Sequence, residues 1–136
     1  MTSFRTTLEG SLRYRGREGQ WAYLLHRITG LGTLLFLAVH ILDTSTVYFF
    51  PSLYEHAIAL YRSTPFMIGE IALVFCVVYH GVNGLRITLF DLYPRFWTQA
   101  RQQSAFRWVM GLAIVLWLPA AFLMGRALIV NNFLGS

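Results

Sequence analysis

The stretch FMIGEIALVFCVVYHGVNGLRITLF, residues 66–90, decides the fold of this chain. Apart from Glu70, His80 and Arg86 it carries no acidic, basic or imidazole side chain. About 20 apolar residues in a helix are enough to cross the hydrocarbon core of a membrane. We therefore expect a transmembrane helix here. His80 and Arg86 are candidates for function, because such groups are costly inside a membrane, whereas we expect Glu70 to reach the interface.

Two further apolar runs, at about 21–50 and 108–130, flank this stretch. Of the 136 residues, 56% are hydrophobic and 12% are charged, whereas a soluble domain carries roughly 25% charged residues. The sequence therefore predicts an all-α integral membrane protein with three transmembrane helices in one anchor domain, residues 21–136. Residues 1–20 lack the apolar core of a signal peptide, and we expect them to form a cytoplasmic amino-terminal arm.

The arginines predict the orientation of the spans, since the chain has no lysine and a net charge of +5. Basic residues precede or open the first span and lie between the second and third, at Arg5, Arg13, Arg15, Arg17, Arg27, Arg95, Arg101 and Arg107. By the positive-inside rule, the amino terminus is cytoplasmic and the carboxyl terminus lies outside. We expect a multi-pass protein of a bacterial or archaeal inner membrane. No nucleic-acid partner is expected, because the arginines form no stripe.

His80, Gly84 and Arg86 form the most informative pattern in the sequence. Gly84 lies one turn after His80 on the same helix face, and its missing side chain would leave room for a flat porphyrin edge. Arg86 lies about 9 Å closer to the cytoplasm, where its guanidinium would suit the propionates of a haem held by His80. The alternative is a buried histidine that is hydrogen-bonded to a neighbouring helix.

His26 and Arg27 lie at the cytoplasmic edge of the first span, at the depth expected for Arg86. They are either a basic pair that reaches the interface or donors that contact haem propionates and a quinone carbonyl. Gly30 shares the face of His26 and permits a close approach of helices.

His40 lies about 21 Å further from the cytoplasm than His26, so it cannot share an iron with His80. Two interpretations remain open. His40 either ligates a second, outer haem or is a structural residue paired with Asp43, three residues later. Between Pro51 and Pro65, apolar residues at helical spacing predict a short amphipathic helix on the outer surface.

The segments HRITG (26–30) and HGVNGLRITLFD (80–91) resemble motifs of the cytochrome b556 subunit of succinate dehydrogenase, one of the two small anchors of many prokaryotic succinate:quinone oxidoreductases. The family signature has a histidine, a glycine four residues on, an aliphatic residue, an arginine and a later aspartate. It is matched by His80, Gly84, Leu85, Arg86 and Asp91. Two positions depart from the family pattern: Ile87 stands where it has His or Phe, and Tyr23 where it has a quinone-site serine.

The resemblance implies that His80 is an axial ligand of haem b and that a second anchor subunit supplies the other ligand. It places Arg27 beside the quinone pocket and the haem propionates, with His26 and Arg86 near the same propionates. Tyr23 stands at a quinone-site position.

The function that the resemblance implies is to dock a flavoprotein and an iron–sulfur subunit on the membrane and to help form the site where electrons from succinate reduce quinone. The chain would have no turnover alone. The alternatives are a fumarate reductase anchor, the cytochrome b anchor of a formate dehydrogenase or hydrogenase, and a haem-free structural or transport subunit. The residues do not decide whether the complex holds one haem or two or whether it uses ubiquinone or menaquinone. They also leave open whether the complex forms a higher oligomer.

Overall fold

The computed structural model describes residues 18–134. Within this range the chain is almost entirely helical and contains no strand. Four α-helices follow one another as α1 (Glu18–Phe49), α2 (Pro51–Tyr61), α3 (Thr64–Leu92) and α4 (Gln99–Ile129). A short 3₁₀-helix, Pro94–Phe96, connects α3 to α4, and a π-helix, Val130–Leu134, continues α4.

Three of these helices are long and apolar enough to cross a membrane, over Gly19–Phe49, Thr64–Leu92 and Ala100–Leu134. This confirms the all-α fold with three transmembrane helices. The third helix begins at Gln99, earlier than the apolar run at 108 suggested, because the polar turns before that run are already helical. The expected arm, residues 1–20, lies outside the described residues except for its last three, which belong to α1.

Prolines mark where the helices restart after each turn. Pro51 opens α2, and Pro65 lies in the first turn of α3. Proline suits these positions because the first N–H groups of a helix have no partner within the helix. The helix expected between Pro51 and Pro65 is confirmed as α2. At the start of α4, the Thr98 hydroxyl accepts a hydrogen bond from the Arg101 backbone N–H at 3.4 Å.

Helix α3 is the centre of the bundle, since it packs against both α1 and α4 while α1 and α4 contact each other less. The side chains buried between the helices are few and mostly small or polar: Ala22, Thr29, Tyr79, Asn83, Val109 and Ala113. The large aliphatic side chains point outward instead. Leu31, for example, is 70% exposed. This distribution suits a lipid environment, in which helices associate through small residues and close backbone contact.

Two hydrogen bonds tie the amino-terminal half of α3 to α4 and to the π-helix that continues α4. The Trp117 indole N–H donates to the Ile71 carbonyl oxygen at 3.0 Å, and the Asn132 amide donates to the Thr64 hydroxyl at 2.9 Å. Both bonds join distant parts of the sequence. They therefore fix the register of α4 against α3.

Gly32 sets how closely α1 approaches α3. A Cβ atom placed on Gly32 would lie 2.7 Å from the Sγ atom of Cys76 and 3.0 Å from its Cβ atom. Both separations are shorter than side chains tolerate, so only glycine fits without displacement. Cys76 is accordingly a packing residue of this helix pair.

We expect Gly32→Ala to destabilise the protein by about 1–3 kcal/mol, the usual cost of forcing an extra methyl group into a packed contact. The measurement is the thermal midpoint of the purified membrane complex. Gly125→Ala is the matched control, because a Cβ on Gly125 meets nothing within 4 Å. Adding Cys76→Ala to Gly32→Ala should recover part of the loss. A Gly32→Ala variant as stable as Gly125→Ala would show that Gly32 does not limit the helix separation.

Candidate functional site

The imidazole rings of His26 and His80 stack face to face between α1 and α3. Their centroids lie 4.2 Å apart and their planes differ by 7°. His26 therefore lies level with His80, deeper than expected from the sequence. The described part of α1 already includes two turns before His26, which places His26 about 12 Å along the helix rather than at its edge.

Two glycines make room for the stacked rings. A Cβ on Gly30 would lie 3.0 Å from the His80 Cε1 atom and 3.3 Å from its Nδ1 atom, so the His80 ring rests directly on the backbone of α1. A Cβ on Gly84 would lie 3.8 Å from the His26 Cε1 atom, which is an ordinary contact. Gly30 is thus the tighter of the two positions, and the space beside Gly84 borders His26.

A hydrogen bond fixes the tautomer of His80. Its Nδ1 atom lies 3.2 Å from the backbone carbonyl oxygen of His26. Because a carbonyl oxygen only accepts, the Nδ1 atom must carry the proton and donate it. In the neutral ring, Nε2 then keeps its lone pair, and it makes no hydrogen bond within the described part of the chain. An imidazole held in this way is a typical metal ligand.

Three polar side chains of α3 lie on a different side of the helix from His80. Tyr79 and Asn83 are fully buried, and the Tyr79 hydroxyl and both amide atoms of Asn83 have no hydrogen-bond partner in the described residues. The Nε atom of Arg86 is also buried without a partner. Arg86 lines a groove between α3 and α4 rather than joining the histidine stack, although it interacts electrostatically with His26.

Arg27 and Tyr23 lie on the exposed surface of α1, next to the histidine stack. The Arg27 guanidinium carbon lies 4.5 Å from the centre of the Tyr23 ring, a cation–π contact. Both side chains are exposed in this chain. The pair therefore presents a fixed cation and an aromatic hydroxyl to whatever covers this face of the helix.

His40 belongs to a separate cavity of about 750 Å³ between α1, α2 and α3, away from the histidine stack. Its ring is exposed and stacks on Phe36, with centroids 5.6 Å apart. The Asp43 carboxylate, which one of the two interpretations paired with His40, accepts a hydrogen bond from the Tyr61 hydroxyl. That bond, together with desolvation, raises the pKa of Tyr61 to about 12. Within residues 18–134, no three His, Cys, Asp or Glu side chains converge as a metal site.

The sequence analysis missed the buried pair Tyr79 and Asn83. Only titratable side chains were singled out within the spans, and an uncharged amide or phenol was left among the apolar residues. The signal was present, because Asn83 is a strongly polar residue inside an otherwise apolar stretch.

Comparison with known proteins agrees with this architecture. Residues 1–120 match the family described as the succinate dehydrogenase/fumarate reductase transmembrane subunit. The chain is also similar to the succinate dehydrogenase 2 membrane subunit SdhC of Mycobacterium tuberculosis. The two are 34% identical over 114 residues, which cover 82% of this chain and 81% of the mycobacterial protein.

Proposed function

Since the chain belongs to the succinate dehydrogenase/fumarate reductase transmembrane-subunit family, we propose that it holds a haem b through His80 and helps to form a quinone-reduction site. It is a multi-pass membrane subunit of such a complex. The observation that carries the proposal is the hydrogen bond between the His80 Nδ1–H and the His26 carbonyl oxygen.

The residues around His80 suit a haem ligand. The Nδ1 bond orients the ring, and it leaves Nε2 for iron. The ring rests on Gly30 and stacks on His26, so its position is fixed by packing as well as by the hydrogen bond. When bound, a haem b supplies a one-electron redox centre. A second haem ligand would come from a partner anchor subunit, since His26 lies flat on the His80 ring and His40 and His56 lie elsewhere in the described chain.

Three basic side chains are available to the haem propionates. The Nδ1 atom of His26 is buried without a hydrogen-bond partner, and so is the Nε atom of Arg86. Arg27 lies on the exposed surface beside His26. A buried donor that lacks a partner costs about 1–3 kcal/mol. A propionate carboxylate would offset that cost, and Arg86 would have to turn from the α4 side of α3 to contribute.

Arg27 and Tyr23 are the proposed quinone-site residues of this chain. The guanidinium is always charged and would stabilise negative charge that develops on a quinone oxygen during reduction. The cation–π contact with Tyr23 restrains the guanidinium at the helix surface. Tyr23 stands where the family has a serine, so its hydroxyl would reach the quinone from a longer side chain.

The remaining parts of the proposal concern the complex as a whole. The flavoprotein, which oxidises succinate with its flavin, and the iron–sulfur subunit dock on the cytoplasmic face, where the arginine-rich loop and amino terminus lie. The carboxyl terminus lies outside. This chain alone has no turnover. A fumarate reductase would use the same site with electrons running the other way, and the family description covers both.

His40 is the candidate ligand for a second haem, but its surroundings favour a structural role. Its ring stacks on Phe36, and it lies in a cavity shared with Asp43 and Glu70, two carboxylates that do not suit a haem face. We therefore propose a single haem, held at His80.

We expect His80→Ala to remove haem b from the purified complex or loosen it, because the iron loses one of its two ligands. The measurement is the reduced-minus-oxidised absorption spectrum with a haem count per complex. His56→Ala is the matched control, since His56 lies in α2, away from the stack. An unaltered low-spin spectrum in His80→Ala would reject the ligand assignment.

We expect Gly30→Ala to shift the absorption bands or the midpoint potential of the haem, because the added methyl group pushes on the His80 ring at 3.0 Å. Gly125→Ala is the control and should change neither, since its methyl group meets nothing within 4 Å. If both variants change the spectrum equally, the position of the His80 ring is not the controlling factor.

We expect Arg27→Leu to lower succinate:quinone turnover about tenfold or more, since one donor aimed at developing charge contributes up to about 10²–10³ in rate. Succinate oxidation with a water-soluble dye that takes electrons before the quinone site should change little. Arg62→Leu, at the outer end of α2, is the charge-matched control. An equal loss in both assays would place Arg27 outside the quinone pathway.

A further inference from the structure

A groove of about 900 Å³ runs between α3 and α4, on the surface of the bundle, and of the residues given a function above only Arg86 lines it. Its walls are apolar over most of their length, with Leu85 and Leu89 on α3 and Leu112 and Val115 on α4. These four side chains are about half exposed or more. A large exposed apolar surface inside a membrane span is covered either by lipid or by another protein.

The groove lies on the opposite side of α3 from the haem-ligand candidate. At about 100° per residue, Leu85 and Leu89 lie about 140° and 180° around the helix from His80. His80 and Gly84 face α1, whereas the groove opens away from α1. The groove is therefore not the surface through which a partner subunit would reach the His80 ring.

The dimensions of the groove match one leaflet of a membrane. From Tyr93 to Val82, the wall formed by α3 is about 16 Å long at about 1.5 Å per residue. One leaflet contributes about half of a hydrocarbon core that is about 30 Å thick. The groove thus begins at one membrane surface and ends near the middle of the membrane, as an acyl chain does.

The surface end of the groove is basic and aromatic. Arg101 and Tyr93 line it there. Arg95 contacts the Tyr93 ring at 5.9 Å and adds a further positive charge at the same end. Within the described residues, no acidic side chain lines the groove. Basic pockets between transmembrane helices on the cytoplasmic side select anionic lipid headgroups.

We propose that this groove binds one anionic phospholipid of the arginine-rich leaflet, with its phosphate at Arg101 and an acyl chain along Leu89, Leu112 and Val115. The charge of Arg101 complements the phosphate, and the apolar walls accept the chain. The aromatic ring of Tyr93 lies at the depth of the headgroup boundary, where such rings are favoured. Arg86, proposed above for the haem propionates, lines the same groove, but the lipid phosphate is assigned to Arg101.

The test uses the intact complex, purified and reconstituted in nanodiscs that contain phosphatidylglycerol and phosphatidylcholine. Retained lipid is identified and counted by native mass spectrometry after release from the disc. We expect one phosphatidylglycerol per chain. Arg101→Gln should weaken its retention about fivefold, the effect of one basic residue near an anionic headgroup. Arg107→Gln removes the same charge from the same helix outside the groove and should change nothing.

A second pair of variants tests the acyl-chain channel. Gly111 lines the groove and Gly125 does not, and a Cβ on either meets nothing within 4 Å. Gly111→Leu should displace the lipid, while Gly125→Leu should retain it. Both complexes should keep their haem spectrum, so failure of this proposal is distinguishable from failure of the ligand assignment at His80.

Three results would overturn the proposal. Equal retention of phosphatidylcholine and phosphatidylglycerol would show that charge does not select the occupant. A photoreactive amino acid at Leu112 that crosslinks to another polypeptide of the complex would make the groove a protein interface. Recovery of a quinone from the wild-type groove, lost in Gly111→Leu, would make it a quinone-tail site.

Discussion

The contact between the His80 ring and the backbone of α1 at Gly30 is the constraint on which the rest of the bundle depends. An imidazole is too polar to face lipid and too wide to fit between two helices that carry side chains at the crossing point. It is accommodated because α1 presents Gly30 to the ring and the His26 carbonyl oxygen to its Nδ1–H. One turn of α1 therefore supplies both the space and the hydrogen bond that a buried histidine needs.

The close approach at Gly30 extends along the helix pair. Gly32 faces Cys76 on α3, one turn further toward the outer side, and it too leaves no room for a side chain. In lipid, apolar side chains gain little by leaving their solvent, so helices associate through such close contacts and through hydrogen bonds. The large leucines of α1 are consequently free to face outward. The polar groups Thr29 and Asn83 are buried in their place.

Hydropathy was sufficient to predict the number of spans, because each apolar run is long enough to cross the membrane once. The start of α4 was not predictable in the same way, since its first turns are polar and no hydrophobic pattern marks them. The histidines show a similar division. Residue spacing along α3 related His80 to Gly84, but only packing between helices could bring His26 onto the His80 ring. The hydrogen bond between the Tyr61 hydroxyl and Asp43 was likewise not predictable, because it depends on where α2 folds back against α1.

The two faces of α3 explain why one helix can serve two environments. The residues on the same face of α3 as His80 are histidine or small residues, and they pack against α1. Those about half a turn away are leucines that form an open groove with α4. Arg86 lies between these faces, near enough to His26 to interact electrostatically, yet it also lines the groove. A guanidinium there has a buried Nε without a partner, and burial of such a group is costly. An anion that reaches Arg86 from either face would offset that cost. The proposed haem propionates would approach from the histidine face, and the proposed lipid phosphate would approach from the groove, which Arg86 and Arg101 both line.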